Sequence, residues 1–429
     1  MVCVSRQGRR NEIIDTDPLV PKLLLGNAYL CDEHFITSSF GEVTDVKNKY
    51  RFIQKNLDAR RCAGQLRYLR DVEPLPGQMI RLAGQSLINF SSNDYLGLAG
   101  CSELKDRAIT YIQKYGVGST ASRLVCGNYD FLAPVEEKLA KFKGQDTSLL
   151  FTSGFQANVS VISALANRNS LILADRLCHN SIVQGAILSR AKFVRFNHNS
   201  PEHLRCILAE TAPPQGSTLI ITESVFSMDG DRGKISELAA IARQYDALLY
   251  VDEAHATGVL GHNGMGLACK GEADVVMGTF GKGCGSFGAY IACPAEIKDY
   301  LINFGSGFIY STALPPAVIG AIDAALDLLP KMENERKYLQ DMGEYLRSKL
   351  NHSGGNTGQS STQIVPIYVG TETRALDLSE WFRKQGILAI AIRPPTVEAG
   401  QARVRLALSA LHTHEQINKL IMAYETWPG

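Results

Sequence analysis

The chain has 429 residues, of which 45% are hydrophobic and 20% are charged, and its formal net charge is +1. This length can build two or three domains, and a charge near zero argues against nucleic acid as a main partner. No apolar stretch reaches the roughly 20 residues of a membrane span, and the amino terminus lacks a signal-peptide pattern. The ten cysteines form no Cys-x-x-Cys pair and no cluster at zinc spacing. We therefore expect a cytoplasmic protein that binds neither membrane nor nucleic acid, without disulfides or a metal site.

The chain divides by pattern into four parts. Residues 1–45 have mixed polarity and no sustained period, and we interpret them as an amino-terminal extension of unknown role. Residues 46–95 form an amino-terminal segment, with a helical pattern over 45–70 that prolines end and a strand over 86–90. The large domain is expected over residues 96–330, and a smaller carboxy-terminal α+β domain over 331–429.

The large domain alternates short apolar runs with amphipathic stretches. The strand-like runs cover residues 147–151, 171–174, 192–196, 218–222, 247–251 and 273–277. Strands separated by helical patterns indicate βαβ units and a mostly parallel sheet, that is, an α/β fold. A long helical region follows from about residue 316 to 350. The small domain adds strands near 363–368, 388–392 and 403–408 and a final helix over 415–424.

Two of these strands end in polar residues that suggest a cofactor. The run 247–251 stops at Asp252, and the run 273–277 stops before Thr279 and Lys282. Ligands of open parallel sheets bind beyond the carboxyl ends of the strands. Pyridoxal phosphate needs a lysine for its Schiff base, a carboxylate beside its pyridine nitrogen and a hydroxyl near its phosphate. The sequence therefore predicts a pyridoxal-phosphate enzyme.

Each of these residues also has a plainer interpretation when taken alone. An aspartate after a buried strand is usually a turn former or a helix cap, and a lysine is usually a solvated surface charge. Nucleotide loops are not supported. Gly283 stands where a phosphate-binding loop has Ser or Thr after its lysine, and Gly116-Val117-Gly118 lacks the third glycine of a dinucleotide fingerprint.

Further candidates lie beyond neighbouring strands. Ser153 and Gly154 stand between a strand and a helix, where free backbone N–H groups can bind a phosphate. His179 is placed to stack on one face of the pyridine ring, and Ser227 and His255 are suitable donors to the cofactor's phenolate oxygen.

At this point six segments carry a resemblance to a known family. They are Ser91-Ser92-Asn93-Asp94-Tyr95-Leu96-Gly97, Ser153-Gly154-Phe155, Asp175 to His179, Ser227-Met228-Asp229-Gly230-Asp231, Asp252 to Gly258 and Thr279-Phe280-Gly281-Lys282-Gly283. Together they resemble the α-oxoamine synthases, which join an amino acid to an acyl thioester with loss of CO2. The resemblance covers about residues 50–425. It implies fold type I, with a mostly parallel seven-stranded sheet between helices.

The resemblance also implies a role for particular residues. The catalytic residues would be Lys282, His179, Asp252 and His255. The cofactor contacts would come from Ser153, Gly154, Phe155, His179, Ser227, Asp252, His255, Thr279, Lys282, Ser311 and Thr312. The substrate contacts would come from Arg67, Asn93, Glu223, Arg393 and Thr396. Because the segment with Ser311 and Thr312 resembles one that reaches the neighbouring subunit's cofactor, a homodimer with shared active sites is implied.

Within the family, three segments favour the member that condenses L-alanine with a pimeloyl thioester in biotin synthesis. They cover residues 57–61, 227–231 and, above all, 391–397. The acyl carrier, coenzyme A or acyl-carrier protein, stays open. Glu398 departs from the pattern, since a proline often follows there. The alternatives are another substrate pair, as in glycine C-acetyltransferase, serine palmitoyltransferase or 5-aminolevulinate synthase, a transamination or aldol cleavage, and a non-catalytic partner subunit on the same fold.

Overall fold

The computed structural model describes residues 48–268 and 271–429. The extension predicted over residues 1–45 lies outside the described residues. The chain divides into two compact units after Asp58, and the first described helix crosses this boundary. That helix ends at Cys62, earlier than the predicted 45–70 pattern, because Gly64 takes the left-handed φ of 61° that commonly stops a helix.

The described helices and strands alternate through most of the chain. The helices are α1 (Arg51–Cys62), α2 (Ser102–Tyr115), α3 (Leu132–Lys143), α4 (Gly154–Leu165), α5 (Asn180–Ser189), α6 (Pro201–Glu210), α7 (Ile235–Gln244), α8 (Ala295–Phe304), α9 (Ser306–Ile309), α10 (Pro316–Leu328), α11 (Glu333–His352), α12 (Glu372–Lys384) and α13 (His414–Glu425). The strands are β1 (Val72–Leu75), β2 (Met79–Leu82), β3 (Gln85–Asn89), β4 (Thr147–Phe151), β5 (Leu171–Asp175), β6 (Lys192–Phe196), β7 (Thr218–Glu223), β8 (Leu248–Asp252), β9 (Val275–Thr279), β10 (Ala289–Cys293), β11 (Ile364–Gly370), β12 (Ile387–Leu388), β13 (Ile390–Ile392) and β14 (Ala402–Ala407).

Seven strands form the large sheet, in the order β4-β10-β9-β8-β7-β5-β6. Strands β5 to β9 pair in parallel, and β10 is antiparallel to both β4 and β9. The predicted α/β class with a mostly parallel seven-stranded sheet is confirmed. Strand β10 was not predicted from the sequence. The connection between β9 and β10 is too short for a crossover helix, so the chain returns antiparallel as a hairpin.

Both faces of this sheet are buried. Alternate residues point to opposite sides of a strand, so Ile220 and Val251 pack into one apolar cluster while Ile221 and Tyr250 pack into another. Such two-sided burial explains why these strands have nearly continuous apolar sequences. It also leaves only the strand ends for polar side chains, and the carboxyl ends carry the predicted site.

Two smaller sheets complete the described fold. One has the order β1-β2-β3-β12, and the other is antiparallel with the order β11-β14-β13. Pro74 lies in the edge strand β1, where a missing N–H costs no ladder hydrogen bond, although the sequence analysis took the prolines only as breaks. Likewise, a turn containing Pro330 divides the helical region predicted from 316 to 350 into α10 and α11.

The smaller carboxy-terminal α+β domain of the expected fold is confirmed, whereas the boundaries at residues 46–95, 96–330 and 331–429 stay predictions. Within the described ranges, no helix combines the length and the apolar composition needed to cross a membrane.

Candidate active site

Two carboxylates lie side by side at the carboxyl ends of β7 and β8. Glu223 and Asp252 are register partners, and both are buried, with 3% and 4% of their surface exposed. Burial, together with the charge of Asp252, raises the pKa of Glu223 well above its ordinary value. Asp252 instead accepts hydrogen bonds from Asn158 Nδ2 and from the Ala254 N–H, each at 2.9 Å. The raised pKa of Glu223 shifts its balance toward the protonated form.

Lys282 lies in the hairpin connection between β9 and β10, and its amine points at a histidine. Its Nζ atom is 2.7 Å from Nε2 of His255. Burial lowers the pKa of Lys282 to about 8, although Asp252 and Glu223 act in the opposite direction. A substantial fraction of this amine is therefore neutral near pH 8, and only a neutral amine can attack an aldehyde or accept a proton.

His255 connects the lysine to residues that the sequence analysis did not assign. Its Nδ1 atom is 2.6 Å from Oη of Tyr95, and that hydroxyl lies 3.0 Å from Oδ1 of Asn93. Arg405 donates to the same Asn93 oxygen, and its Nε atom donates to the Ser227 carbonyl oxygen at 2.6 Å. The predicted residues Asn93, Ser227 and His255 thus share one hydrogen-bonded network. Two arginines, Arg403 and Arg405, alternate with apolar residues in strand β14, and this pattern was the available signal for Arg405.

His179 occupies the N-cap position of α5, and its side chain is held by Ser181. Its Nδ1 atom accepts the backbone N–H of Ser181 at 3.2 Å and lies 2.7 Å from the Ser181 hydroxyl. Burial lowers the pKa of His179. Since Nδ1 is an acceptor, Nε2 carries the proton of this neutral ring. Asn158 donates both to Ser181 and to Asp252, at 2.9 Å each, so it links His179 to the strand-end carboxylate.

The predicted phosphate-binding residues also come together. Ser153 caps α4 by accepting the Gln156 N–H at 3.2 Å. A Cβ atom placed on Gly154 would lie 3.9 Å from Cβ of Thr279, so the start of α4 adjoins the end of β9. A 12-residue helix presents free N–H groups and a positive dipole end here. Phe155 follows with 51% of its surface exposed.

Ser311 and Thr312 have other partners in the described chain. Gln156 donates a hydrogen bond to the Ser311 hydroxyl, and Thr312 forms an isolated bridge with Ser122. Their expected contact with a neighbouring subunit's cofactor stays a prediction.

The remaining substrate residues form a separate group. Arg67 donates to the Thr396 hydroxyl at 2.9 Å, and Arg393 donates to the Gly64 carbonyl oxygen. Burial and the charge of Arg67 lower the pKa of Arg393. Glu398, which departs from the family pattern, pairs with Arg176 at 3.1 Å.

Pyridoxal phosphate fits these residues if its protonated pyridine nitrogen can compensate the buried carboxylate of Asp252. Within the described residues this buried carboxylate has hydrogen bonds from Asn158 and Ala254 but no ion pair with a lysine or arginine. A buried carboxylate without a cation is costly, and a protonated pyridine nitrogen would compensate it. With the amine of Lys282 and the anion-binding start of α4, the residues fit the cofactor.

This fold and site define a pyridoxal-phosphate enzyme of fold type I, and comparison with known proteins agrees. The model of the family "Aminotransferase class I and II" matches residues 85–423. A protein of Desulfosudis oleivorans, provisionally named an 8-amino-7-oxononanoate synthase, is 52% identical over 381 residues, which are 89% of this chain and 99% of that protein. The 8-amino-7-oxononanoate synthase of Gluconacetobacter diazotrophicus is 46% identical over 382 residues, 87% of this chain and 96% of that protein.

Solved structures give the same picture. A serine palmitoyltransferase from S. paucimobilis with a bound pyridoxal-phosphate–myriocin adduct superposes with a TM-score of 0.83 at 25% identity, covering 89% of this chain and 98% of that chain. The 8-amino-7-oxononanoate synthase of Francisella tularensis gives 0.69 at 29% identity, covering 79% and 97%. The chain therefore belongs to the class I and II aminotransferase family, in its α-oxoamine synthase branch. It is a pyridoxal-phosphate-dependent acyltransferase.

Proposed function

We propose that this enzyme condenses L-alanine with a pimeloyl thioester, carried by coenzyme A or acyl-carrier protein, in biotin synthesis. The products are 8-amino-7-oxononanoate, CO2 and the free thiol. The observation that carries the proposal is the amine of Lys282, 2.7 Å from Nε2 of His255, at the same end of the sheet as the buried pair Glu223 and Asp252. The names of the relatives that match nearly the whole chain support the choice of substrates.

The bound cofactor would supply an electron-accepting ring for the charge left at the amino acid's Cα atom. Lys282 would hold the cofactor and then, once displaced by L-alanine, remove the Cα proton, a role for which a pKa of about 8 is well suited. Asp252 would keep the pyridine nitrogen protonated. His179, neutral and fixed by Ser181, would cover one ring face.

The substrate ends would be held by the arginines. Arg393 would bind the carboxylate of L-alanine, because its planar guanidinium can donate two parallel hydrogen bonds. Arg67, which contacts Thr396, would flank the acyl chain. We further propose that the enzyme is a cytoplasmic homodimer in which Ser311 and Thr312 reach the partner's cofactor phosphate.

A second candidate keeps the reaction and changes the substrates. The serine palmitoyltransferase fold superposes with a higher TM-score, 0.83 against 0.69, than the Francisella enzyme does. Its identity is only 25%, however, whereas the Gluconacetobacter relative is 46% identical. Since side-chain identity and not backbone shape determines a substrate pocket, the pair L-alanine and pimeloyl thioester is favoured.

Thiol release tests both candidates directly. The purified, pyridoxal-phosphate-loaded protein would be given L-alanine with pimeloyl-CoA, glycine with acetyl-CoA, or L-serine with palmitoyl-CoA. We expect thiol and CO2 in equal amounts from the first pair alone. Release only from another pair would change the substrate assignment, and silence with all three would contradict the condensation. Lys282→Ala is the control for release that does not depend on the site.

A further inference from the structure

The hydrogen-bonded network around His255 includes Tyr95 and Arg405, which are not among the predicted site residues. Tyr95 is fully buried, and His255 and Arg405 have only 6% and 7% of their surface exposed. The Tyr95 hydroxyl lies 2.6 Å from Nδ1 of His255, and Nε2 of the same ring lies 2.7 Å from the Lys282 amine. Each of these direct contacts needs one donor and one acceptor. The positions of the protons can therefore be deduced.

The Oδ1 atom of Asn93 has two lone pairs and can therefore accept two hydrogen bonds. The Tyr95 hydroxyl lies 3.0 Å from this oxygen, but Nη1 and Nη2 of Arg405 both donate to it at 3.2 Å, so both of its lone pairs already have a donor. Nη2 also lies 3.5 Å from the Tyr95 oxygen and can only donate. The single hydroxyl proton of Tyr95 is therefore left for Nδ1 of His255, which is also its shortest contact.

The charge state of His255 agrees with this assignment. Burial, with the positive charges of Lys282 and Arg405, lowers the pKa of His255 well below its ordinary value, so the ring is neutral. A neutral imidazole has one N–H. If Nδ1 accepts from Tyr95, that N–H is on Nε2. It then donates to Lys282 when the amine is neutral.

We propose that Tyr95 is a positioning residue that holds His255 in the tautomer with its proton on Nε2, the nitrogen facing Lys282. This proposal rests on the proposed function in one respect, namely that Lys282 binds the cofactor. In the loaded enzyme the same N–H would donate to the cofactor's phenolate oxygen. Without the Tyr95 hydroxyl, the other tautomer becomes accessible and turns a bare lone pair toward that oxygen, which repels it.

The tautomer can be measured on cofactor-free protein labelled with ¹⁵N-histidine. A long-range ¹H–¹⁵N spectrum at pH 9 distinguishes the two nitrogens, and the signal missing in His255→Gln assigns the ring. We expect a proton on Nε2 in the unmodified protein and a mixture of tautomers in Tyr95→Phe. A proton on Nδ1 in the unmodified protein overturns the proposal, and so does an unchanged Nε2–H in Tyr95→Phe.

A second readout is the affinity for the cofactor. Titration with pyridoxal phosphate, followed by absorbance, should give a dissociation constant about tenfold higher for Tyr95→Phe than for the unmodified protein. Tyr290→Phe is the matched control, because this equally buried tyrosine bonds Thr257 at 2.7 Å instead. Equal affinities for Tyr95→Phe and the unmodified protein contradict the proposal. Failure of the unmodified protein to bind pyridoxal phosphate would instead contradict the proposed function, while the tautomer result would stand.

Discussion

Glu223 and Asp252 lie opposite each other at the ends of two adjacent parallel strands, and both are buried. Two carboxyl groups this close cannot both ionise cheaply, and the environment decides which one does. Asn158 and the Ala254 N–H donate to Asp252, which favours the anion there. Burial and the charge of Asp252 raise the pKa of Glu223, whose oxygen accepts the backbone N–H of His179.

The raised pKa of Glu223 predicts that glutamine can replace it. Glu223→Gln has the same shape and charge as the protonated acid, so we expect kcat within about threefold of the unmodified enzyme. Glu223→Ala leaves a cavity and an unpaired His179 N–H and should lose about tenfold or more. Steady-state kinetics on both variants check this, and a glutamine variant as weak as the alanine variant would contradict it.

The same substitution should change stability in a defined direction. The folded-state pKa of Glu223 is raised above the ordinary 4.5, so its contribution to stability is full below pH 4.5 and declines as the pH rises toward the folded-state pKa. Glu223→Gln removes this loss. We expect a higher free energy of unfolding for Glu223→Gln than for the unmodified protein at pH 7, measured by urea denaturation without cofactor.

Lys282→Ala should abolish turnover and leave the fold intact. Removing the group that holds the cofactor and moves the Cα proton costs about a thousandfold or more in kcat. Thiol release measures the loss, and the thermal midpoint of the cofactor-free protein measures the fold. Lys349→Ala is a suitable control, because that lysine lies over the Tyr345 ring on α11. Undiminished turnover in Lys282→Ala would exclude the proposed site.

Arg393→Lys should separate binding from catalysis. Lysine keeps the positive charge but loses the planar pair of donors, so the KM for L-alanine should rise about tenfold with a smaller change in kcat. Arg383→Lys is the control, since that arginine pairs with Glu380 on the surface of α12. If the KM for the thioester rises and that for L-alanine does not, Arg393 belongs to the acyl substrate instead.

A pH-dependent contribution to stability is expected from His198. Its ring bridges two carboxylates, with Nδ1 3.0 Å from Asp175 and Nε2 2.8 Å from Asp231. Burial opposes protonation, but the hydrogen bonds with Asp175 and Asp231 raise the pKa of His198 to about 10. Because this value is above the ordinary 6.5, the stabilisation is complete below pH 6.5 and is lost as the pH rises through about 10.

We therefore expect His198→Gln to cost about 3 kcal/mol at pH 6.5, since it leaves two carboxylates without their cation, and much less near pH 10. Urea midpoints of both proteins at the two pH values check this. His203→Gln on the neighbouring helix α6 is the control substitution, because that ring accepts a backbone hydrogen bond from Asn197 instead of bridging two carboxylates. A cost for His198→Gln that is equal at both pH values would show that the ring is not charged.

The strands with polar ends could be predicted from the sequence because two-sided burial makes any polar residue in them conspicuous. Asp252, Thr279 and Lys282 were found in this way. Tyr95 could not be found, because its role depends on a contact with His255, 160 residues further along the chain. Nothing local distinguishes a buried tyrosine that donates to a catalytic histidine from one that only packs.

Strand β10 is a second feature that could not be predicted from the sequence. The alternation of strands and helices predicted a mostly parallel sheet, and no strand was predicted between the run at residues 273–277 and the helical region from about residue 316. The antiparallel return follows from the length of the connection and from pairing with β4, a strand far away in sequence. Pairing of this kind depends on the whole sheet and not on the residues of the strand.

The position of Lys282 on that hairpin has a consequence for the evolution and engineering of this enzyme. Both ends of its loop are fixed by the paired register of β9 and β10, in which Thr279 is opposite Ala289. Inserting or deleting one residue between them would shift the lysine relative to His255 or flip one strand's inward and outward faces. We therefore expect insertions and deletions in this loop to lower activity by displacing the lysine, so that its length limits how the loop can be engineered.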